Sequence, residues 1–156
     1  MSKSLKRVRA ALEAAGLTPE IIETPEAART AQQAADQAGC HVDQIAKSII
    51  FRGADSGSAL LFLTAGGNRV CDRAASALAG EPLGKADAAL IRRQTGFAIG
   101  GVAPIGHLNP IRAFVDPRLC EFDSVWAAAG TPHHIFRLQP GRLVALCEGT
   151  VAPFTL

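Results

Sequence analysis

Behind Ser4, apolar residues recur at Leu5, Val8 and Leu12, with Lys3, Lys6, Arg7 and Arg9 on the other face and Gly16 as a stop signal. That spacing predicts a first amphipathic helix. Ile21-Ile22 opens a short predicted strand. Thr30, followed three residues later by Gln33, has the form of a capping box. The Ala-rich run to Ala38 then reads as helix closed by Gly39. Ile45 to Arg52 (IAKSIIFR) and Ala59 to Thr64 (ALLFLT) are β-branched and apolar, and Gly53 to Ser58 supplies turn chemistry between them, so the pair predicts a hairpin. Gly66-Gly67-Asn68 turns the chain again. Val70 to Leu78 and Asp87 to Thr95 predict two helices, separated by Gly80-Glu81-Pro82 and Gly84, and Gly96 closes the second. Phe97 to Pro110 (FAIGGVAPIGHLNP) is too rich in Gly and Pro to be regular, and too apolar for an ordinary solvent loop. Ile111 to Val115, Ser124 to Ala129 and His133 to Leu138 predict strands, with Asp116-Pro117 ending the first and Gly130-Thr131-Pro132 turning into the last. Pro140 to Leu146 predicts a short final helix with Pro at its start.

Helices mixed with antiparallel-looking hairpins, and no regular βαβ alternation, predict one α+β domain over residues 1–156, with no repeat or linker. The length of 156 residues suits a single core. Tyr is absent, so that core is built from Leu, Ile, Val, Ala and a few Phe. A net charge of +2 argues against broad electrostatic capture of nucleic acid, which needs many phosphate contacts, but leaves room for a grip on the end of a tRNA. Cys40, Cys71, Cys120 and Cys147 form no C-x-x-C pair and have no His at ligand spacing, so no metal site is expected. Their scatter fits a reducing cytoplasm, and no segment approaches the length of a membrane span.

The familiar phosphate loops and the G-x-S-x-G elbow are missing. Three other features carry candidate chemistry. Lys47 interrupts an apolar strand, on the face shared with Ile45, Ile49 and Phe51; an ammonium there either binds a substrate phosphate or snorkels to water. Gly100 to Pro104 is a stiffened loop whose backbone can approach a ligand, or a plain structural turn. His133 and His134 follow a turn and point to opposite faces, so one of them can face a pocket; His107 is a weaker candidate. Cysteine chemistry, with Cys71 or Cys120 and a histidine, has no flanking signature.

Lys47 in IAKSIIFR, the downstream ALLFLTAGGNRV, Gly100 to Pro104 in GFAIGGVAPIGH, and GTPHHIFRL stand in an order that resembles the YbaK-type aminoacyl-tRNA deacylases and the editing insertion of bacterial prolyl-tRNA synthetases. The resemblance spans roughly Thr30 to Leu146 and implies a compact domain around a curved, mixed, largely antiparallel sheet flanked by helices. It also implies hydrolysis of the ester that joins a wrong, small amino acid (Ala, Cys, Ser or Thr) to the 3′ end of tRNA, with tRNA(Pro) as the expected carrier. Lys47 matches the family's essential lysine, expected to hold the phosphate or ribose region of the terminal adenosine. Gly100 and Pro104 match its G-x-x-x-P loop, and Gly100 and Gly101 are expected to bind the α-ammonium. His133 is the better match to a histidine near the amino-acid pocket, with His134 as the alternative, and Ser48 is expected to touch ribose or side chain. The resemblance implies neither metal nor cofactor, action in trans with a synthetase as transient partner, and a monomer or small homo-oligomer. A non-catalytic module that binds tRNA ends, nucleotides or a protein on the same fold is the rival reading.

Overall fold

The computed structural model describes residues 2–18 and 20–156. Its helices are α1 (Lys3–Ala14), α2 (Ala31–Ala38), α3 (Asp72–Ala79), α4 (Ala88–Thr95) and α5 (Pro140–Cys147). Its strands are β1 (Glu20–Glu23), β2 (Ile45–Gly53), β3 (Ala59–Ala65), β4 (Leu83–Lys85), β5 (Arg112–Val115), β6 (Val125–Ala128), β7 (His134–Leu138) and β8 (Thr150–Val151). They join in one sheet in the order β1-β7-β6-β2-β3-β5-β8, with β4 added on β2. The ladders β1–β7, β6–β7, β2–β3 and β2–β4 are antiparallel, whereas β2–β6, β3–β5 and β5–β8 are parallel. The expected α+β domain with a mixed sheet and flanking helices is the one observed.

The central strand β3 is buried along its whole length, which is why ALLFLTA reads as one apolar run without alternation. Ala59, Leu61, Leu63 and Ala65 face the main core under α1, α4 and α5, with Val8, Leu12, Leu90, Phe97 and Leu143. Leu60 and Phe62 face the other way, against Phe114, Phe154 and the Ala75–Ala79 side of α3. On that second face α2 covers a separate patch of Ala34, Ala35, Ile45, Trp126 and Ile135. The second face therefore has two apolar clusters with a seam between them.

Several boundaries differ from the sequence expectation for local reasons. Ser2, not Ser4, caps α1, its side chain accepting the Leu5 N–H at 3.0 Å. Thr30 caps α2 as expected, but Gln33 Oε1 reaches the Arg29 N–H at 2.8 Å, one residue before the cap. Val70 pairs in an isolated bridge with Thr155, so α3 begins only after Cys71. The Gly84 segment, expected as a connection, is strand β4 on the far end of β2. No helix among the described residues is long and apolar enough to cross a membrane.

Candidate functional site

The site follows from how β2 is flanked. On one edge β2 pairs with β6 only at Ile45 and Ala46, and with β4 only at Phe51 to Gly53. Between them, Lys47 to Ile50 are unpaired on that edge, and β6 diverges. A cleft of about 280 Å³ fills the split, lined by Lys47, Ser48 and Ile49 of β2, the cap Thr30 with Ala31 and Ala34 of α2, Gly100 and Val102, Trp126, and Thr131 and His134.

Lys47 shares its strand face with Ile45, Ile49 and Phe51, as the alternation requires. Ile45 belongs to the patch under α2, Ile49 and Phe51 to the patch under α3, so Lys47 lies in the seam that neither helix covers. Its Nζ donates to the Asn68 carbonyl at 2.7 Å. Burial, together with the Arg69 guanidinium nearby, lowers the ammonium below the ordinary lysine value, and the Asp116 and Asp43 carboxylates partly offset this. Neither carboxylate bonds it directly. Asp43 accepts Arg118 Nε at 3.0 Å and the Gly67 N–H at 2.8 Å. Asp116, only 2% exposed, accepts the Ala65 N–H at 3.1 Å, Asn68 Nδ2 at 2.9 Å and the Arg118 N–H at 2.9 Å.

Ser48 points to the other face, where its hydroxyl donates to the Val102 carbonyl at 2.8 Å and ties the Gly-rich loop to the open edge of β2. Gly100 adopts φ +90°, and nothing lies within 4 Å of where a Cβ would stand. Gly101 is in contact with the turn after β6, because a Cβ there would meet Thr131 backbone atoms at 2.8 Å. Thr131 Oγ1 accepts the His133 N–H at 3.1 Å and lies 2.7 Å from His134 Nδ1. The loop, the turn and the His134 ring are thus one connected wall. Arg29 adds a second cation to the lining.

Residues 25–146 match the aminoacyl-tRNA editing domain. The chain belongs to this family. The editing-domain fold extends over the whole length: a solved structure of a protein proposed as a trans-editing enzyme for prolyl-tRNA synthetase is 43% identical, with a TM-score of 0.92 over 100% of this chain and 99% of that one. The structure of the hypothetical protein APE2540 is 26% identical, with a TM-score of 0.87 over 96% of this chain and 99% of that one. The uncharacterised protein YwhH of Bacillus subtilis (strain 168) is 29% identical over 140 residues, 90% of this chain and 88% of that one.

Among the residues singled out from sequence, Lys47, Ser48, Gly100 and His134 line the cleft of this editing domain. Three others stand outside its lining. Gly101 is buried behind the wall against Thr131. Pro104 lines a separate concavity with His107 and Cys147. His133 precedes β7 rather than opening it; its side chain is exposed and its carbonyl accepts the Thr24 N–H at 2.7 Å. Of the two histidines it is the alternative, His134, that reaches the cleft, because β7 begins there and its register with Glu23 turns the ring inward beside Thr131. His107 places Nε2 2.7 Å from the Ala103 carbonyl, and burial lowers its pKa. Cys71 stands at the N-cap position of α3 without a side-chain capping bond, and burial with the Asp116 charge raises the exposed Cys120 thiol, which disfavours the nucleophilic thiolate. Among the described residues no cysteine is hydrogen-bonded to a histidine, and no group of three potential metal ligands comes together. Thr131, Trp126 and the Asn68–Asp116 pair carry no signal in the sequence. The first two lie in a turn and an apolar strand, and Asn68 and Asp116 read as turn and strand-end punctuation.

Proposed function

We propose that this chain is a trans-acting aminoacyl-tRNA deacylase that hydrolyses the ester between a small, wrongly attached amino acid and the 3′ end of tRNA, with tRNA(Pro) as its expected carrier. The observation that carries the reading is the convergence of an unneutralised lysine, an open glycine backbone and a histidine on one cleft in an aminoacyl-tRNA editing domain. Lys47 has a neutral carbonyl as its bonding partner, so its positive charge and two remaining donors stay available for the phosphate or ribose of the terminal adenosine. The Gly100 backbone and the adjoining loop receive the α-ammonium, and His134, oriented by Thr131, stands near the amino acid. The apolar wall of Ala31, Ala34, Ile45 and Trp126 suits a short side chain.

In this account the protein supplies placement and electrostatics while water attacks the ester carbonyl and the ribose hydroxyl leaves. An aminoacyl ester is activated already, so no protein nucleophile is required. A synthetase pocket shaped for proline cannot sterically reject smaller side chains, and a second site that accepts them restores fidelity. The protein proposed as a trans-editing enzyme for prolyl-tRNA synthetase supports the choice of carrier. The test is release of free amino acid from tRNAs charged with alanine, cysteine, serine, threonine and proline. Turnover of one or two small esters is expected. No turnover of any of them overturns the reading in favour of a module that binds without reacting.

A further inference from the structure

We propose that Asn68 and Asp116 are positioning residues for Lys47, acting through the turn at Ala65–Asn68. The turn closes on its own Asn68 N–H to Ala65 carbonyl bond of 2.9 Å and is held from two sides. From below, the buried Asp116 carboxylate takes both the Ala65 N–H and Asn68 Nδ2 on one oxygen. From the flank, Asp43 takes the Gly67 N–H, and it is itself fixed by Arg118. A Cβ at Gly66 would collide with the Val42 carbonyl, so the turn also packs closely onto the segment before β2. Its outward product is the Asn68 carbonyl, aimed at Lys47 Nζ.

This arrangement solves a specific difficulty. A lysine side chain is long and flexible, and a carboxylate partner would fix it but cancel its charge. A carbonyl anchored by carboxylates one step removed fixes the ammonium without neutralising it. Both acids are already engaged by backbone N–H groups and by Arg118, which keeps them from closing onto Lys47. What the held ammonium then does in turnover rests on the deacylase reading; the holding itself does not.

Asn68→Ala removes the link to Asp116 while keeping the backbone carbonyl; Asn68 is half-buried and Asp116 keeps the Ala65 and Arg118 N–H bonds, so the variant stays folded with a modest fall in melting temperature. Side-chain ¹⁵N relaxation of the lysine ammonium groups in the free protein is the first readout. Lys47 is expected to be restricted in the wild type and markedly freer in Asn68→Ala, both read well below their melting temperatures. A Lys47 as mobile as solvent-exposed lysines in the wild type, or unaffected by Asn68→Ala, overturns the proposal. Deacylation is the second readout: kcat/KM is expected to fall about two- to tenfold, the scale of one hydrogen bond. Unchanged turnover with a freed Lys47 overturns the catalytic consequence. A wild type inactive on every charged tRNA overturns the deacylase reading instead, and the relaxation result still decides the positioning. Asp116→Ala removes both oxygens and is expected to free Lys47 in the same way with a lower melting temperature, because the Ala65 and Arg118 N–H groups lose their acceptor as well.

Discussion

Replacing Gly101 by alanine adds one methyl group where the cleft wall has no room for it. The new Cβ would stand 2.8 Å from both the Cα and the carbonyl carbon of Thr131 and 3.0 Å from its nitrogen. These are backbone atoms and cannot rotate away. Nor can the turn retreat freely, because its preceding residue, Gly130, already sits against the Ser4 carbonyl of α1, at 2.8 Å from where a Cβ would be. Either the 98–104 loop or the Thr131 turn must move, and the two together carry Gly100, Val102 and His134 into the cleft. Overpacking of this kind costs about 1–3 kcal/mol, a fall of roughly 2–10 °C in melting temperature for a domain of this size. Turnover falls further than stability accounts for, because both walls of the site shift. Gly100→Ala is the companion: its methyl meets open space, so its cost is the strain of φ +90°, about 1–2 kcal/mol. Thermal unfolding and deacylation rates on the same preparations read both effects. A Gly101→Ala protein with wild-type melting temperature and turnover would refute the close approach of loop and turn and the wall built on it.

Three further outcomes follow from the same geometry. Thr30→Ala removes the cap of α2 and should lower stability by about 1 kcal/mol; because Ala31 and Ala34 line the cleft, KM should rise more than kcat falls, as steady-state kinetics can show. Ser48→Ala leaves the buried Val102 carbonyl without its donor, at about 1–3 kcal/mol, and amide exchange should speed up across the 98–104 loop while β2 stays protected. Burial lowers the pKa of His107, so the unfolded chain binds more protons than the folded one between the depressed pKa and the ordinary value. His107 therefore costs nothing near neutral pH and destabilises progressively below about pH 6.5. His107→Gln should flatten the fall in melting temperature between about pH 7 and 5, and an unchanged slope would remove His107 from that role.

The sequence made the scaffold legible where the physics is local. ALLFLT between turn signals reads as a strand, Asp87 and Gly96 mark the two caps of α4, and alternation puts Lys47 on the face of Ile45 and Ile49. The site was legible as candidates and not as a site, because its defining feature is long-range. The cleft exists where β6 parts from β2 after Ala46, and nothing in either strand's sequence records how far the other accompanies it. The choice between His133 and His134 turned on a one-residue question, where β7 starts, and a one-residue slip exchanges the faces. Gly100 and Pro104 belong to one G-x-x-x-P loop in the resemblance, yet Gly100 lines the cleft while Pro104, with His107, lines a different concavity. The Asn68–Asp116 bond joins residues 48 positions apart, a pairing that no spacing rule reveals.

In the proposed reaction Lys47, held in the seam beside Asn68, fixes the aminoacyl end for hydrolysis. Single-turnover deacylation of alanyl-tRNA(Pro) by the wild type and by Lys47→Ala, at matched melting temperatures, isolates this role. Rapid release of alanine is expected from the wild type, and none above the spontaneous rate from Lys47→Ala. Wild-type release by a folded Lys47→Ala protein would contradict it.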